Sequence, residues 1–191
     1  MTQNRTRNSP TAQRRQHQIE DCLFENLTHT PWQSISVADI CRQVGISRKA
    51  YYNYYKDKHD CFCAYVDRIF DECVHYTGQQ LGEDSGAMDL AVCLLEFWRD
   101  HKLLLDVVVR NDLLFILIER NIDYVLNRDR TLLQLLDTDS IPTDEDILTC
   151  YTTVQITLIL RWHERNFDTP VEEMAKKFLR LLTEPLIPVK K

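Results

Sequence analysis

Residues 46–58 read ISRKAYYNYYKDK and bring four tyrosines and four Lys or Arg together with one acid, Asp57. Cations of this density suit a polyanion: Lys and Arg meet phosphates, Arg grips base edges, and a tyrosine packs its ring while its hydroxyl donates to phosphate oxygen. The segment holds no nucleophile paired with a base, so its chemistry is recognition and not bond-making. If Arg48 to Tyr54 is a helix, Tyr51 and Tyr55 share a face with Ile46 nearby and pack inward. Arg48, Lys49, Tyr52 and Asn53 then point outward, with Tyr54 at the flank. A solvated basic turn beside an aromatic core is the competing reading.

The charge balance of the chain separates this segment from the rest. The 191 residues carry a net charge of −6, but up to Lys58 there are nine Lys or Arg against five Asp or Glu, which is +4. From His59 onward the balance is fourteen against twenty-four, which is −10. Such asymmetry implies a basic module that touches a polyanion and an acidic body that does not.

The elements that must hold the basic segment follow from caps and periodicity. Ile19, Cys22, Leu23 and Leu27 mark the buried stripe of a helix over 11–28, with Pro31 barring continuation. Ser36 with Asp39 offers a capping pair for a short helix over 37–43. Gly45 supplies a left-handed turn, Ser47 caps the helix over 48–54, and Asp57 with Asp60 starts a fourth that reaches about Thr77. Two short helices joined by a glycine turn predict a helix-turn-helix whose second helix enters the major groove.

The stretch ICRQVGISRKAYYNYYKDKHDCF, preceded by SISVAD, resembles the DNA-binding domain of the TetR family of transcriptional regulators. The resemblance spans about Ile19 to Tyr65. It implies an all-α fold in which residues 1–58 form an N-terminal arm and a three-helix DNA-binding domain. A fourth helix joins this to a helical regulatory and dimerisation domain over 59–191. By the same resemblance Ser36 contacts a phosphate, Arg48, Lys49 and Tyr52 meet base edges, and Tyr54 and Lys58 hold the backbone. Tyr54 stands where the family has His, Ala50 where Thr is common, Pro31 for the usual Gly and Cys41 for the usual Ala. The implied protein is a homodimer on a palindromic DNA operator, most simply a repressor released by a small-molecule effector.

Beyond Leu81 the chain changes character, with EDSGAM (83–88) as the linker. Apolar spacing predicts helices over 87–101, 103–110, 112–127 and 130–137. A longer one runs from a Thr143 cap to about Arg165. Thr169, Pro170 and Glu172 mark the start of the last, which reaches about Thr183. The helix 147–162 is apolar over most of its circumference and must bury two faces. Either it is a monomer core helix, or, as the resemblance implies, it pairs with its copy together with the last helix. Phe97, Trp98, Phe115, Tyr124 and Tyr151 could line an apolar pocket, with Trp98 and Tyr151 the candidate effector contacts; core packing is the competing reading. His101 and His163, beside charged neighbours, read as exposed.

Other chemistry finds little in the sequence. There is no phosphate-binding glycine loop, no GxSxG and no HExxH, so no enzyme is expected. The seven cysteines follow no CxxC spacing. Cys22, Cys41, Cys93 and Cys150 read as small hydrophobes, and His59, Cys61, Cys63 and Cys73 do not share one helical face, so neither a metal site nor a cofactor is expected. With no apolar leader and no run long enough to span a bilayer, a soluble cytoplasmic protein is expected. The second function class is a helical adaptor whose basic end binds RNA or a protein.

Overall fold

The computed structural model describes residues 9–82, 84–128 and 144–183. The N-terminal arm, Thr143, Pro185 and the helix expected over 130–137 lie outside them. The described residues are helical without strands and divide into two compact units. One holds the described residues up to Ile69 together with Val107–Leu113; the other holds Phe70–Asp106 and the described residues from Leu114 onward. The division falls inside the fourth helix, not ahead of it at residue 58.

In the first unit, α1 (Pro10–Leu27) starts with Pro10 in its first turn and Ser9 as cap, the hydroxyl accepting from the Ala12 amide at 3.2 Å. Its buried stripe is Ile19, Leu23 and Leu27, joined by one acid, Glu20. A 3₁₀ turn (Trp32–Ser34) follows Pro31 and leads to α2 (Val37–Val44). That helix is capped by Ser36, whose hydroxyl accepts from the Asp39 amide at 3.2 Å and donates to the Asp39 carboxylate at 2.5 Å. Gly45 ends it in the left-handed region at φ 72°, and the Ile46 amide reaches back to the Cys41 carbonyl at 2.9 Å. A Cβ at Gly45 would meet no atom within 4 Å, so glycine is there for its backbone and not for room.

Ser47 caps α3 (Arg48–Tyr52), which is two residues shorter than expected. The fourth helix, α4 (Lys58–Gln80), is longer than expected. Its start is a reciprocal pair: the Asp57 carboxylate accepts from the Asp60 amide and the Asp60 carboxylate from the Lys56 amide, both at 2.8 Å. Val107–Leu113 completes the unit. Asn111 is 5% exposed; its carbonyl accepts from the Trp32 amide at 2.8 Å and its amide donates to the Val107 carbonyl at 3.0 Å.

The second unit comprises the rest of α4, α5 (Ala87–Asp100), the start of α6 (Lys102–Arg110), α7 (Leu114–Asp123) with a π turn (Tyr124–Arg128), α8 (Glu145–Glu164) and α9 (Val171–Thr183). Helix α9 packs on α5, and α8 on α7. The break expected after residue 110 is present, but the helix expected over 112–127 starts two residues later, at Leu114, and ends in the π turn. Asp112 turns left-handed at φ 57° and the Leu113 amide bonds back to the Val108 carbonyl, which closes α6 before α7 can start. The α8 cap is Asp144, which accepts from the amides of Asp146 and Ile147 at 3.0 and 3.2 Å. In α9 the first helical carbonyl belongs to Pro170, accepting from Met174 at 3.0 Å, one position later than the sequence suggested.

Three expectations about side chains need correction. His101 is half-buried, its ring nitrogen 2.7 Å from the Phe97 carbonyl. His163 is not exposed: its side chain keeps 9% of its surface and its ring pairs with Asp106 at 2.7 Å. Cys150 is not a core filler but exposed, whereas Cys61 and Cys73 are buried along with Cys41. Burial pushes the Cys73 thiol up to about 12 and the Cys61 thiol higher still, so neither yields thiolate near neutrality.

Glu20 gives the first unit its most consequential polar contact. It is 4% exposed and accepts from the Tyr55 hydroxyl at 2.6 Å and from Arg68 Nε at 2.9 Å. Tyr55→Phe strips one partner from a buried carboxylate, which costs about 1–3 kcal/mol. Urea unfolding should register that loss with an unchanged slope; a loss below about 0.5 kcal/mol would mean the bond adds nothing. For the cysteines, an aromatic disulfide reagent at pH 8 should label Cys150 first and reach Cys61 and Cys73 only after denaturation. Rapid native labelling of Cys73 would contradict the burial described above.

Candidate nucleic-acid interface and apolar cavity

The exposed face of α3 is built from the inside out. Tyr51 is fully buried and its hydroxyl donates to the Asp57 carbonyl at 3.0 Å, tying the helix to the start of α4. Tyr55, three residues past the C-terminal end of α3 and 4% exposed, ties the chain that follows it to Glu20. With both phenols spent inward and desolvated, their ionisation is pushed far up, and they act as struts. The expected inward pair is therefore the observed one.

Arg48, Lys49, Tyr52 and Asn53 are exposed and Tyr54 is half-buried. Tyr52 keeps 47% of its surface; its ring stands edge-on to Tyr51 at 5.6 Å and its hydroxyl accepts from Arg48 Nη2 at 3.5 Å. No acid lies within α3. An arginine and a lysine beside a tyrosine fixed in orientation form a surface able to meet phosphate oxygen and base edges. Ala50 adds a methyl that can touch thymine but cannot hydrogen-bond.

Ser36 is exposed, with its hydroxyl committed to the α2 cap. Lys58 has a role that sequence reasoning did not anticipate. Its ammonium donates to the Trp32 carbonyl and to the Ile35 carbonyl at 2.9 Å, and it lies 4.5 Å from the centre of the Trp32 ring. Two of its three donors thus fasten the 3₁₀ turn to α4. Glu20 was also missed, although a charge inside the stripe of Ile19, Leu23 and Leu27 was the available signal.

The second unit contains a cavity of about 90 Å³. Phe70, Leu95, Trp98, Tyr124, Ile156 and Phe178 are buried in its wall. The rings of Trp98 and Tyr124 lie 5.7 and 5.5 Å from that of Phe70. Of the two residues expected to meet an effector, Trp98 lines the cavity; Tyr151 is half-buried on α8 and is not in its lining. Phe97 stacks on His101 at 3.9 Å, and Phe115 is 74% exposed. Among the described residues no three His, Cys, Asp or Glu gather as a metal site would require, and no helix is long and apolar enough to cross a membrane.

Neither a protein-family model nor a curated protein matches the chain by sequence. Solved structures do match it. One is a putative TetR-family transcriptional regulator from Syntrophomonas wolfei, with TM-score 0.61 and 14% identity over 93% of this chain and 99% of that one. The fatty acid degradation regulator FadR from Bacillus halodurans matches with TM-score 0.59 and 14% identity over 93% and 97%. The TetR-like regulator LfrR from Mycobacterium smegmatis, solved with proflavine, matches with TM-score 0.53 and 16% identity over 93% and 99%. Likeness at this level of identity is likeness of fold, and the chain has the all-α fold of these TetR-type regulators.

Proposed function

We propose that the protein is a sequence-specific DNA-binding transcriptional regulator, a repressor that works as a homodimer on a palindromic operator in the cytoplasm. The observation that carries this reading is α3: a short helix anchored by two buried tyrosines, with Arg48, Lys49 and Tyr52 on its outer side. Tyr54 and Lys58 flank that face and take phosphate contacts, Lys58 through its remaining donor, whereas Ser36, its one hydroxyl proton held by Asp39, meets a phosphate only by giving up that bond.

One reading helix covers too few base pairs to select a site in a genome, so two must act together. Helix α8 supports a partner, because Ile147 is 45% exposed and Tyr151, Val154 and Leu158, at three- and four-residue spacing along it, are only partly covered. The cavity supports an effector. Helix α4 bears on both ends of the function: Arg68 on it binds Glu20 of the DNA-binding unit, and Phe70 and Cys73 on it line the cavity.

Selection from random duplex DNA should return an inverted repeat; enrichment of nothing, or of RNA in a parallel selection, would replace the regulator with the adaptor. Arg48→Ala should relax selection at one position in each half-site. Lys49→Ala should likewise relax selection in each half-site and, because it removes a cation from the DNA surface, flatten the slope of log K against log salt by about 1 per half-site. An unchanged slope would take Lys49 off the interface. For the dimer, Leu158→Glu sets two like charges against each other across a two-fold axis, at a cost of several kcal/mol. Light scattering should then find a monomer that fails on the full operator; a folded dimer of normal affinity would move the interface elsewhere.

A further inference from the structure

The lining of the cavity restricts what can occupy it, given the reading of the second unit as the effector-binding part. None of the described residues in its wall carries a charge: the wall is aliphatic and aromatic except for Cys73, Tyr124, Asn121 and Gln155. Two of these polar groups already have partners. The Tyr124 hydroxyl donates to Asp71 at 2.9 Å, and the Asn121 amide leans on the Thr152 carbonyl at 3.4 Å. Burial leaves the Cys73 thiol protonated at neutral pH, and it is a poor hydrogen-bonding group. The Gln155 amide makes no hydrogen bond to any described residue. Because Gln155, Val74, Leu94 and Val125 stay partly exposed while Leu95, Trp98 and Ile156 are buried, the cavity opens on the Gln155 side.

A charge taken into such a wall forfeits its hydration without a counter-ion, whereas an apolar body gains by leaving water. The volume, about 90 Å³, admits a single ring or a short branched chain and not a long acyl tail. We infer that the cavity takes an uncharged, compact apolar molecule of one-ring size whose single hydroxyl or carbonyl hydrogen-bonds the Gln155 amide at the mouth. The apolar end lies against Phe70, Trp98 and Ile156. An unpaired polar group on the ligand or on the protein would be penalised, so Gln155 sets the preference for one polar group over none.

Four probes of one ring test this on the full-length protein by calorimetry: 4-methylphenol, toluene, benzoate and benzylamine. The expected order has 4-methylphenol tightest, toluene about tenfold weaker, and both ions undetected at millimolar concentration. Gln155→Leu, at a partly exposed position that tolerates substitution, should erase the tenfold preference and leave toluene unchanged. Ions binding as well as 4-methylphenol, no probe binding at all, or a preference that survives Gln155→Leu would each overturn the inference. The binding is measured without DNA, so its failure is separate from failure of the regulator reading, which the operator selection decides.

Discussion

A helix of five residues cannot hold its own shape. Nucleating the first turn fixes several dihedrals for one hydrogen bond, and α3 is all first turn. Its geometry is therefore lent to it by what lies beneath: Ser47 at one end, the Tyr51 hydroxyl on the Asp57 carbonyl, and the Tyr55 hydroxyl on Glu20. Glu20 is in turn answered by Arg68, which lies over the Tyr65 ring at 5.1 Å, while Tyr65 stacks on Phe24 at 4.5 Å. Two helices and the segment after α3 thus meet in one carboxylate. Removing any member takes a partner from a buried group, and so the network behaves as a unit.

Much of the first unit could be read from the sequence because its decisive signals are local. Ser36, Ser47 and Asp57 announce helix starts to their own third neighbours, and Gly45 announces a conformation open to few other residues. The inward placement of Tyr51 and Tyr55 follows from their spacing alone. What could not be read are the bonds between residues far apart in the chain. Glu20 finds Tyr55 across 35 positions and Arg68 across 48, and Asn111 finds Trp32 across 79. No periodicity reports such a pairing.

The errors in the second unit have the same origin. His163 stands among Arg161, Glu164 and Arg165 and reads as solvated, yet Asp106, 57 positions earlier, takes it into the packed side of α8. The break after α6 was placed correctly, but the two-residue delay before α7 was not, because Asp112 supplies a left-handed conformation without a glycine to signal it. The cavity was half legible. Trp98, singled out for an apolar pocket, does line the cavity, but Gln155 lies among apolar neighbours on a helix whose facing partners only the fold reveals.

The return of Val107–Leu113 to the first unit has a consequence for how this architecture can be recombined. A unit that is one uninterrupted stretch of chain can be moved between proteins as a cassette. Here the first unit is discontinuous: Asn111 fills a site between the Trp32 amide and the end of α1, and it arrives only after α5 and α6 have been traversed. A chimera that carries only residues up to Ile69 would inherit a Trp32 amide without its acceptor and an uncovered apolar wall where Val107 and Val108 had been. Exchange of the first unit among chains of this fold therefore needs two crossovers, with the short second segment carried along with the first.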